Sequence, residues 1–368
     1  MIPVSKPIIL KQDINSVSKV MRDGWITSEG PAVKMFEKKF SNLIKKKYAS
    51  TVSNGTAALE IAIKTLNLKK NDEIIIPNFT IVSNLIAVLK NNLKPVLVDC
   101  DSFTWNMNIE QIKKAINSKT KAILATHIYG YPIEIDKIKI ICKKNKLFLI
   151  EDAAEMLGHN YKKHKCGFYG DISTFSFYAN KHVTTGEGGM ILTDSSKFDK
   201  KIKSLRNLCF GKKDRFNHDD IGWNYRLSNL QAAFGLSQLN RLNKTLVLKK
   251  YIGKLYFQKL KDNKKIFIQR PNYRSIENIY WVVGIVIKKK SITAKILMNY
   301  LKSKGIQTRP FFYPMNKQRF LKKYNIKFKG SFPISENISK YGLYLPSGPD
   351  IKIKDIDKVC LEINNFIK

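Results

Sequence analysis

The chain has 368 residues, 43% of them hydrophobic, and a formal charge of +37. That is enough for a large core and for two domains, and no run of about 18 apolar residues is present to span a membrane. The charge is mostly lysine spread over the whole length, with short runs such as Lys45-Lys46-Lys47 that lack interleaved aromatics, so it reads as solvated surface rather than a nucleic-acid or lipid footprint.

Residues 2–30 carry Pro3, Pro7 and Trp25 and read as a loop packed by that tryptophan. From 33 to 44, Val33, Phe36, Phe40 and Leu43 recur at helical spacing, which predicts an amphipathic helix. A strand then breaks at Asn54-Gly55, and a helix opens with Thr56 and two alanines. Free backbone N–H groups and the dipole at such a start make an anion site. A strand over 73–76 ends in Pro77-Asn78-Phe79-Thr80, and a helix over 81–89 leads to a strand over 95–99. Another strand, 122–127, ends at His127, for which a hydrogen-bonded core histidine is the plain reading. The apolar run 147–150 ends in Glu151-Asp152-Ala153-Ala154-Glu155. This alternation predicts α/β with a largely parallel sheet. Ligands in such sheets sit at the carboxyl ends of strands, where Thr80, His127, Asp152 and Lys181 all fall.

The stretch 171–194 reads strand, polar turn, strand. Ile172, Thr174, Phe175 and Phe177 form the first strand; Asn180, Lys181 and His182 follow; Gly186, Gly188 and Gly189 let the backbone turn. Lysine is ordinarily a solvated surface group. Here it leaves a buried strand, so it is partly desolvated and easier to deprotonate, as a Schiff-base amine must be. Ser176 lies five positions earlier, with a hydroxyl suited to a phosphate. Asp152, at a strand end, suits a protonated pyridine nitrogen. Together the three spell a pyridoxal 5'-phosphate site.

Residues 196–226 read as polar and irregular, and 227–242 as a helix starting at Ser228. A long helix over 244–260 carries the chain into a smaller α/β region, with strands at 266–269, 280–287 and 307–312 and helices at 292–301 and 354–366. The expected division is 1–243 for a large cofactor-binding domain and 244–368 for a small one. The aromatic run Arg309-Pro310-Phe311-Phe312-Tyr313-Pro314-Met315 suits either packing between domains or ligand contact. Five dispersed cysteines without a CxxC read as reduced thiols of a cytosolic protein. The N-terminus lacks the plan of a secretion signal. The five histidines show no metal-ligand spacing, so no metal is expected.

EDAAE followed by GDISTFSFYANKHVTTGEGGM resembles the DegT/DnrJ/StrS family of sugar aminotransferases, and the likeness runs from GWITSEGP to the GPD turn near the end. The resemblance implies a fold-type I pyridoxal phosphate enzyme acting on nucleotide-linked keto-sugars, with L-glutamate as amino donor and Lys181 as Schiff-base lysine. It implies that Ser176, Gly55, Thr56 and Asn224 hold the phosphate, Asn224 from the neighbouring subunit of a homodimer with shared sites. It also implies that Phe79 stacks on the pyridine ring and that Glu155 approaches the ring hydroxyl. Trp25, Thr27, Ser28, His127, Asn180, Arg226, Arg309, Phe312 and Tyr313 become candidate sugar contacts. RPFFYPM and GWNYRLSN look most like the GDP-perosamine-forming branch, which acts on GDP-4-keto-6-deoxy-D-mannose for O-antigen or other surface glycans. UDP-linked 4-keto sugars and dTDP-linked 3-keto sugars are the alternatives. A dehydratase branch, in which histidine replaces the lysine, makes His182 worth placing. No nucleic-acid or membrane partner is expected.

Overall fold

Five strands alternate with helices along the first half of the chain: β1 (Tyr48–Val52), β2 (Glu73–Pro77), β3 (Lys94–Val98), β4 (Thr120–Thr126) and β5 (Phe148–Asp152). A short hairpin of β6 (Asn160–Tyr161) and β7 (His164–Lys165) precedes β8 (Ile172–Ser176) and β9 (Gly189–Thr193). The computed structural model describes residues 1–211 and 213–367. Within them a seven-stranded sheet has the order β1-β9-β8-β5-β4-β2-β3. From β8 to β3 the pairing is parallel; β9 runs antiparallel to both of its neighbours. The architecture is thus the α/β fold with a largely parallel sheet that the alternation predicts.

Both faces of this sheet are covered, which explains why its strands are apolar throughout rather than alternating. Ile75, Ile123, Leu149 and Phe175 enter the core on one face. Their neighbours Ile74, Ile76, Ala122, Leu124 and Ile150 enter the other, as the period-two geometry of a strand requires. On the first face lies α2 (Pro31–Ile44). Its Phe36 packs on Phe177 with ring centres 5.1 Å apart, and Phe40 on Phe175 at 4.9 Å. Those contacts fix the strand end from which Lys181 departs.

Two expectations fail here. Residues 2–30 are not a loop packed by Trp25: α1 spans Lys11–Arg22, and Trp25 is exposed. The anchor of α1 is polar. Asp13 is buried, accepts from Leu10 N–H at 2.8 Å and Ser237 Oγ at 2.6 Å, and pairs with Arg241 at 2.7 Å. Nor is 196–226 wholly irregular. Ser195 accepts from Phe198 N–H at 3.3 Å and starts a helix at Ser196–Leu205, whose Ile202 and Leu205 are buried under a lysine-rich face.

Ser228 caps the helix Asn229–Asn240 as its sequence predicts, accepting from Gln231 N–H at 3.3 Å. The long helix Leu242–Leu260 then runs beside a second sheet. That sheet contains β10 (Ile266–Ile268), β13 (Val283–Ile287), β14 (Arg309–Pro310) and β15 (Gly342–Leu345) in the antiparallel order β10-β13-β15-β14, with a hairpin of β11 (Asn272–Tyr273) and β12 (Ile276–Glu277) beside it. The strand expected over 307–312 is only two residues long, because Phe311 turns inward. Its ring lies 4.8 Å from that of Trp105 and 4.9 Å from that of Tyr129, both on the first sheet's side. No helix among the described residues is long and apolar enough to cross a membrane.

Candidate active site

A cavity of about 650 Å³ opens at the carboxyl ends of β4, β5 and β8 and is closed on one side by Trp281, Phe312 and Tyr344 from the second sheet's side. This lies within the size range of small-molecule sites. A larger cavity of about 980 Å³ lies near β11 and β12, but none of the candidate residues lines it.

The floor of the first cavity is the start of α3 (Gly55–Thr65). Asn54 caps it, its Oδ1 accepting from Ala57 N–H at 2.8 Å. The first N–H groups of a helix have no acceptor inside it, so those of Gly55 and Thr56 are available to an anion. Ser176, the last residue of β8, closes the cup from above. A Cβ added at Gly55 would lie 2.9 Å from Ser176 Cβ and 3.2 Å from its Oγ, so only glycine permits this approach. Thr56 Oγ1 and Ser83 Oγ share a hydrogen bond of 2.8 Å at the rim.

Lys181 sits in the turn after β8, its N–H bonded to Tyr178 O at 2.9 Å. Its Nζ rests 3.7 Å from the centre of the Trp281 ring. Trp281 in turn donates Nε1–H to Asn180 O at 3.0 Å. Desolvation lowers the Lys181 pKa, against the opposing pull of Glu155 and Asp152. Burial raises the Asp152 pKa, against Ala154 N–H, Lys181 and His127. Burial pushes Glu155 up to about 8, even though Lys181 and the Tyr129 N–H, 2.7 Å away, favour its charged form. Two carboxyls and one amine therefore share a dry compartment, with proton affinities drawn towards one another.

The strand alternation separates the two acids at the end of β5. Asp152 faces the cavity; Glu151 faces the opposite way and is wholly buried. Glu151 Oε1 accepts from His127 Nε2 at 3.0 Å and Gly167 N–H at 2.6 Å; Oε2 accepts from Tyr169 and Gly170 N–H, each at 2.8 Å. His127 Nδ1 accepts from Ile133 N–H at 3.0 Å, so its proton lies on Nε2. Both ring nitrogens are used, and His127 does not line the cavity. The plain reading of a hydrogen-bonded core histidine fits this geometry, and the expected sugar contact does not.

The structure brings Gly55, Thr56, Asp152, Glu155, Ser176, Asn180, Lys181 and Phe312 to one cavity. It places others elsewhere. Phe79 is fully buried among Tyr129, Phe311 and Phe312, with ring centres 5.7–5.8 Å away. Ile81, two residues on and 43% exposed, lines the cavity where Phe79 does not. Arg309 lines an adjoining cavity. Tyr313 is exposed, and Arg226 reaches Asn207 Oδ1 at 2.7 Å instead. Trp25, Thr27, Ser28 and Asn224 are absent from this cavity wall within one chain, and Asn224 is exposed. His182 is also off the wall: it is buried on the far side of the turn, and burial with the nearby Lys249 and Lys181 holds its pKa down to about 3. The sequence reading missed Trp281, Tyr344 and Ile81. Thr80 falls just after the end of β2, the strand end its sequence position predicts. Thr80 Oγ1 and Asn180 Oδ1 are buried at this wall without a protein partner.

Those two unused polar atoms, the glycine-only cup and an Asp152 whose one backbone hydrogen bond comes from Ala154 at 3.1 Å are what a phosphate-bearing, ring-protonated cofactor would satisfy. The residues present fit pyridoxal phosphate. Among the described residues there is no cluster of histidine, cysteine and acidic side chains able to hold a metal ion.

Comparison with known proteins agrees. Residues 7–364 match the DegT/DnrJ/EryC1/StrS aminotransferase family. A curated protein of Escherichia coli O157:H7 named GDP-perosamine synthase is 35% identical over 365 residues, covering 99% of this chain and 98% of its own. Among solved structures, the Helicobacter pylori PseC aminotransferase of pseudoaminic acid biosynthesis superposes with a TM-score of 0.93, covering 100% of this chain and 99% of its own; at 24% identity it shows the fold. The E. coli GDP-4-keto-6-deoxy-D-mannose-3-dehydratase with bound hydrated PLP superposes at 0.87 with 26% identity, covering 98% and 99%. The chain belongs to the DegT/DnrJ/EryC1/StrS family and is a pyridoxal phosphate-dependent sugar aminotransferase.

Proposed function

We propose that the chain moves an amino group from L-glutamate to GDP-4-keto-6-deoxy-D-mannose, forming GDP-perosamine for O-antigen or another surface polysaccharide. We further propose that it works in the cytoplasm as a homodimer with shared sites. The sugar assignment is supported by the relative named GDP-perosamine synthase. The observation that carries the reaction class is the placement of Lys181, not His182, on the cavity wall that Asp152 and Glu155 also line. That separates an aminotransferase from the dehydratase branch.

Pyridoxal phosphate, when bound, supplies an electron sink for the carbon next to the amine. The remaining work belongs to the chain. Ser176 Oγ and the N–H groups of Gly55 and Thr56 would hold the phosphate, with Asn224 serving the other subunit's site. Asp152 would keep a proton on the pyridine nitrogen, and Ile81 would cover a ring face. The Lys181 amine, already lowered in pKa by desolvation, would take the proton from the donor's amine-bearing carbon in one half-reaction and give a proton to the acceptor's carbon in the other. Trp281 and Phe312 keep water from that amine. Glu155, protonated up to about pH 8 before anything binds, can donate a hydrogen bond where an ionised carboxylate cannot.

The homodimer reading is supported by exposed apolar side chains in the two segments expected to meet a second subunit: Trp25 and Ile26, and Phe216 and Ile221 in the loop before Asn224. The test of the whole reading is direct. GDP-, UDP- and dTDP-linked keto-sugars are each offered with glutamate, and the amino-sugar is identified by NMR. Turnover of only the UDP or dTDP sugars would overturn the GDP assignment. Release of keto acid with deoxygenation of the sugar would overturn the aminotransferase reading.

A further inference from the structure

A second cavity, of about 400 Å³, adjoins the first and shares Tyr178, Asn180, Trp281 and Tyr344 with it. Two cationic residues line it, Lys249 from the long helix and Arg309 from β14. Lys249 is 5% exposed, and its Nζ donates to the Ser347 carbonyl, a neutral group. Among the described residues no carboxylate lies within ion-pair distance of either cation. Several other buried charges in this protein are paired: Lys46 with Asp194, Glu60 with Lys90, Asp13 with Arg241. An ammonium taken out of water without an anion is costly, and proteins ordinarily avoid it. The groups around Lys249 do not compensate it. Burial first, then Lys249 and Lys181, holds His182 at about 3, so it stays neutral; burial pushes Tyr344 up to about 12, so it stays neutral too. The compartment is therefore polarised for an anion that the protein does not itself supply.

The position says which anion. Trp281 lines both this compartment and the cavity that holds Lys181, and Lys181 Nζ rests 3.7 Å from its ring centre. Gly55 and Ser176, the phosphate cup, line the other cavity and not this one. An amino acid carries its carboxylates a few bonds from its amino nitrogen, and a donor reacting beside Lys181 has this chamber as its neighbour, the two cavities sharing four lining residues. We propose that Lys249 and Arg309 form the carboxylate subsite for the amino donor, a dicarboxylic amino acid. This rests on the aminotransferase reading above, and it adds the donor's binding determinants to it. Burial lowers the Lys249 pKa to about 7 in the unliganded chain, so a bound carboxylate also restores the ammonium form.

The experiment uses the cofactor-loaded protein and three variants, Lys249→Met, Lys249→Arg and Arg309→Gln. Steady-state KM is measured for glutamate and for the keto-sugar. Separately, glutarate, which has two carboxylates and no amine, is titrated by its effect on the cofactor's absorbance, and GDP binding is measured by calorimetry. Losing a charge-assisted hydrogen bond should weaken glutamate and glutarate by about tenfold or more in Lys249→Met and Arg309→Gln. Keto-sugar KM and GDP affinity should stay within about twofold, and Lys249→Arg should recover part of the glutarate affinity. Arg309 is exposed on a short edge strand, so its variant remains informative if Lys249→Met folds poorly. Unchanged glutarate affinity in both Lys249→Met and Arg309→Gln overturns the proposal. So does loss of GDP affinity in step with glutarate, which would make the nucleotide's diphosphate the occupant. If the wild type aminates no sugar, the functional reading falls, while the glutarate titration still decides the subsite.

Discussion

Glu151→Gln tests whether the back of β5 is held as its geometry indicates. Each carboxylate oxygen of Glu151 accepts two hydrogen bonds, His127 and Gly167 on one, Tyr169 and Gly170 on the other. An amide must turn its NH₂ towards one of these pairs, so two donors lose their acceptor whichever way it points. His127 cannot relieve the clash by changing tautomer, because Nδ1 is needed by Ile133 N–H. Two hydrogen bonds to a buried charge, at about 1.5–3 kcal/mol each, give a loss of about 3–6 kcal/mol. That is a large fraction of the roughly 5–15 kcal/mol that holds a domain together. Equilibrium urea unfolding followed by circular dichroism measures it, with surface Glu110→Gln as the control, expected to leave the unfolding midpoint nearly unchanged. The pH dependence gives an independent reading. Burial alone would raise the Glu151 pKa, but His127 and the backbone N–H groups outweigh it and hold it low. Its stabilisation is therefore present above the unfolded-state carboxyl pKa and is lost as pH falls through the folded one, and Glu151→Gln should lack that acid-side decline. A variant within about 1 kcal/mol of wild type at neutral pH would refute the four-bond description.

Gly55→Ala should close the phosphate cup against Ser176, weakening pyridoxal phosphate about tenfold or more in absorbance titrations of the apoprotein. Lys181→Ala should still take up cofactor but lose the borohydride-sensitive visible band, with turnover falling beyond the ~10²–10⁴-fold of acid–base catalysis alone. Mixing Lys181→Ala with Asn224→Ala subunits should restore part of the activity if sites are shared; proven subunit exchange without recovery would count against sharing. Burial raises Glu155 to about 8, above its unfolded value, because the ionised form is disfavoured in the fold. Stability should then fall as pH rises from the unfolded carboxyl pKa to about 8. In thermal melts of the apoprotein, Glu155→Gln should gain over wild type at pH 9 and gain little at pH 5.

What sequence reasoning recovered was local. The cup at Asn54-Gly55-Thr56, Asp152 at a strand end and Lys181 after β8 all follow from strand–turn–helix chemistry within a few residues. What it missed depends on distant partners. No period in 11–22 shows that Asp13 will be buried, because its partners Ser237 and Arg241 lie more than 200 residues away. Phe79 and Ile81 differ in which one points at the cavity, and that is decided by Phe311 and Phe312 filling the space around Phe79. Nothing near residue 281 marks Trp281 as the surface on which Lys181 lies. Glu151 is adjacent to Asp152 and is given no role by the sequence reading, because its hydrogen-bond donors, from His127, Gly167, Tyr169 and Gly170, are supplied by other segments on the opposite face.

That tryptophan makes the amine's chemistry answerable to the C-terminal half of the chain. Trp281 grips the Asn180 carbonyl and shields the Lys181 nitrogen at once. A change anywhere that loosens the seating of Trp281 hands the ammonium back to water and raises its proton affinity, even if no group at the reacting carbon has moved. Basicity at Lys181 is thus a gauge of how well the two sheets are seated. Damage far from the cavity will register first as a shift in the pH profile, before it registers as unfolding.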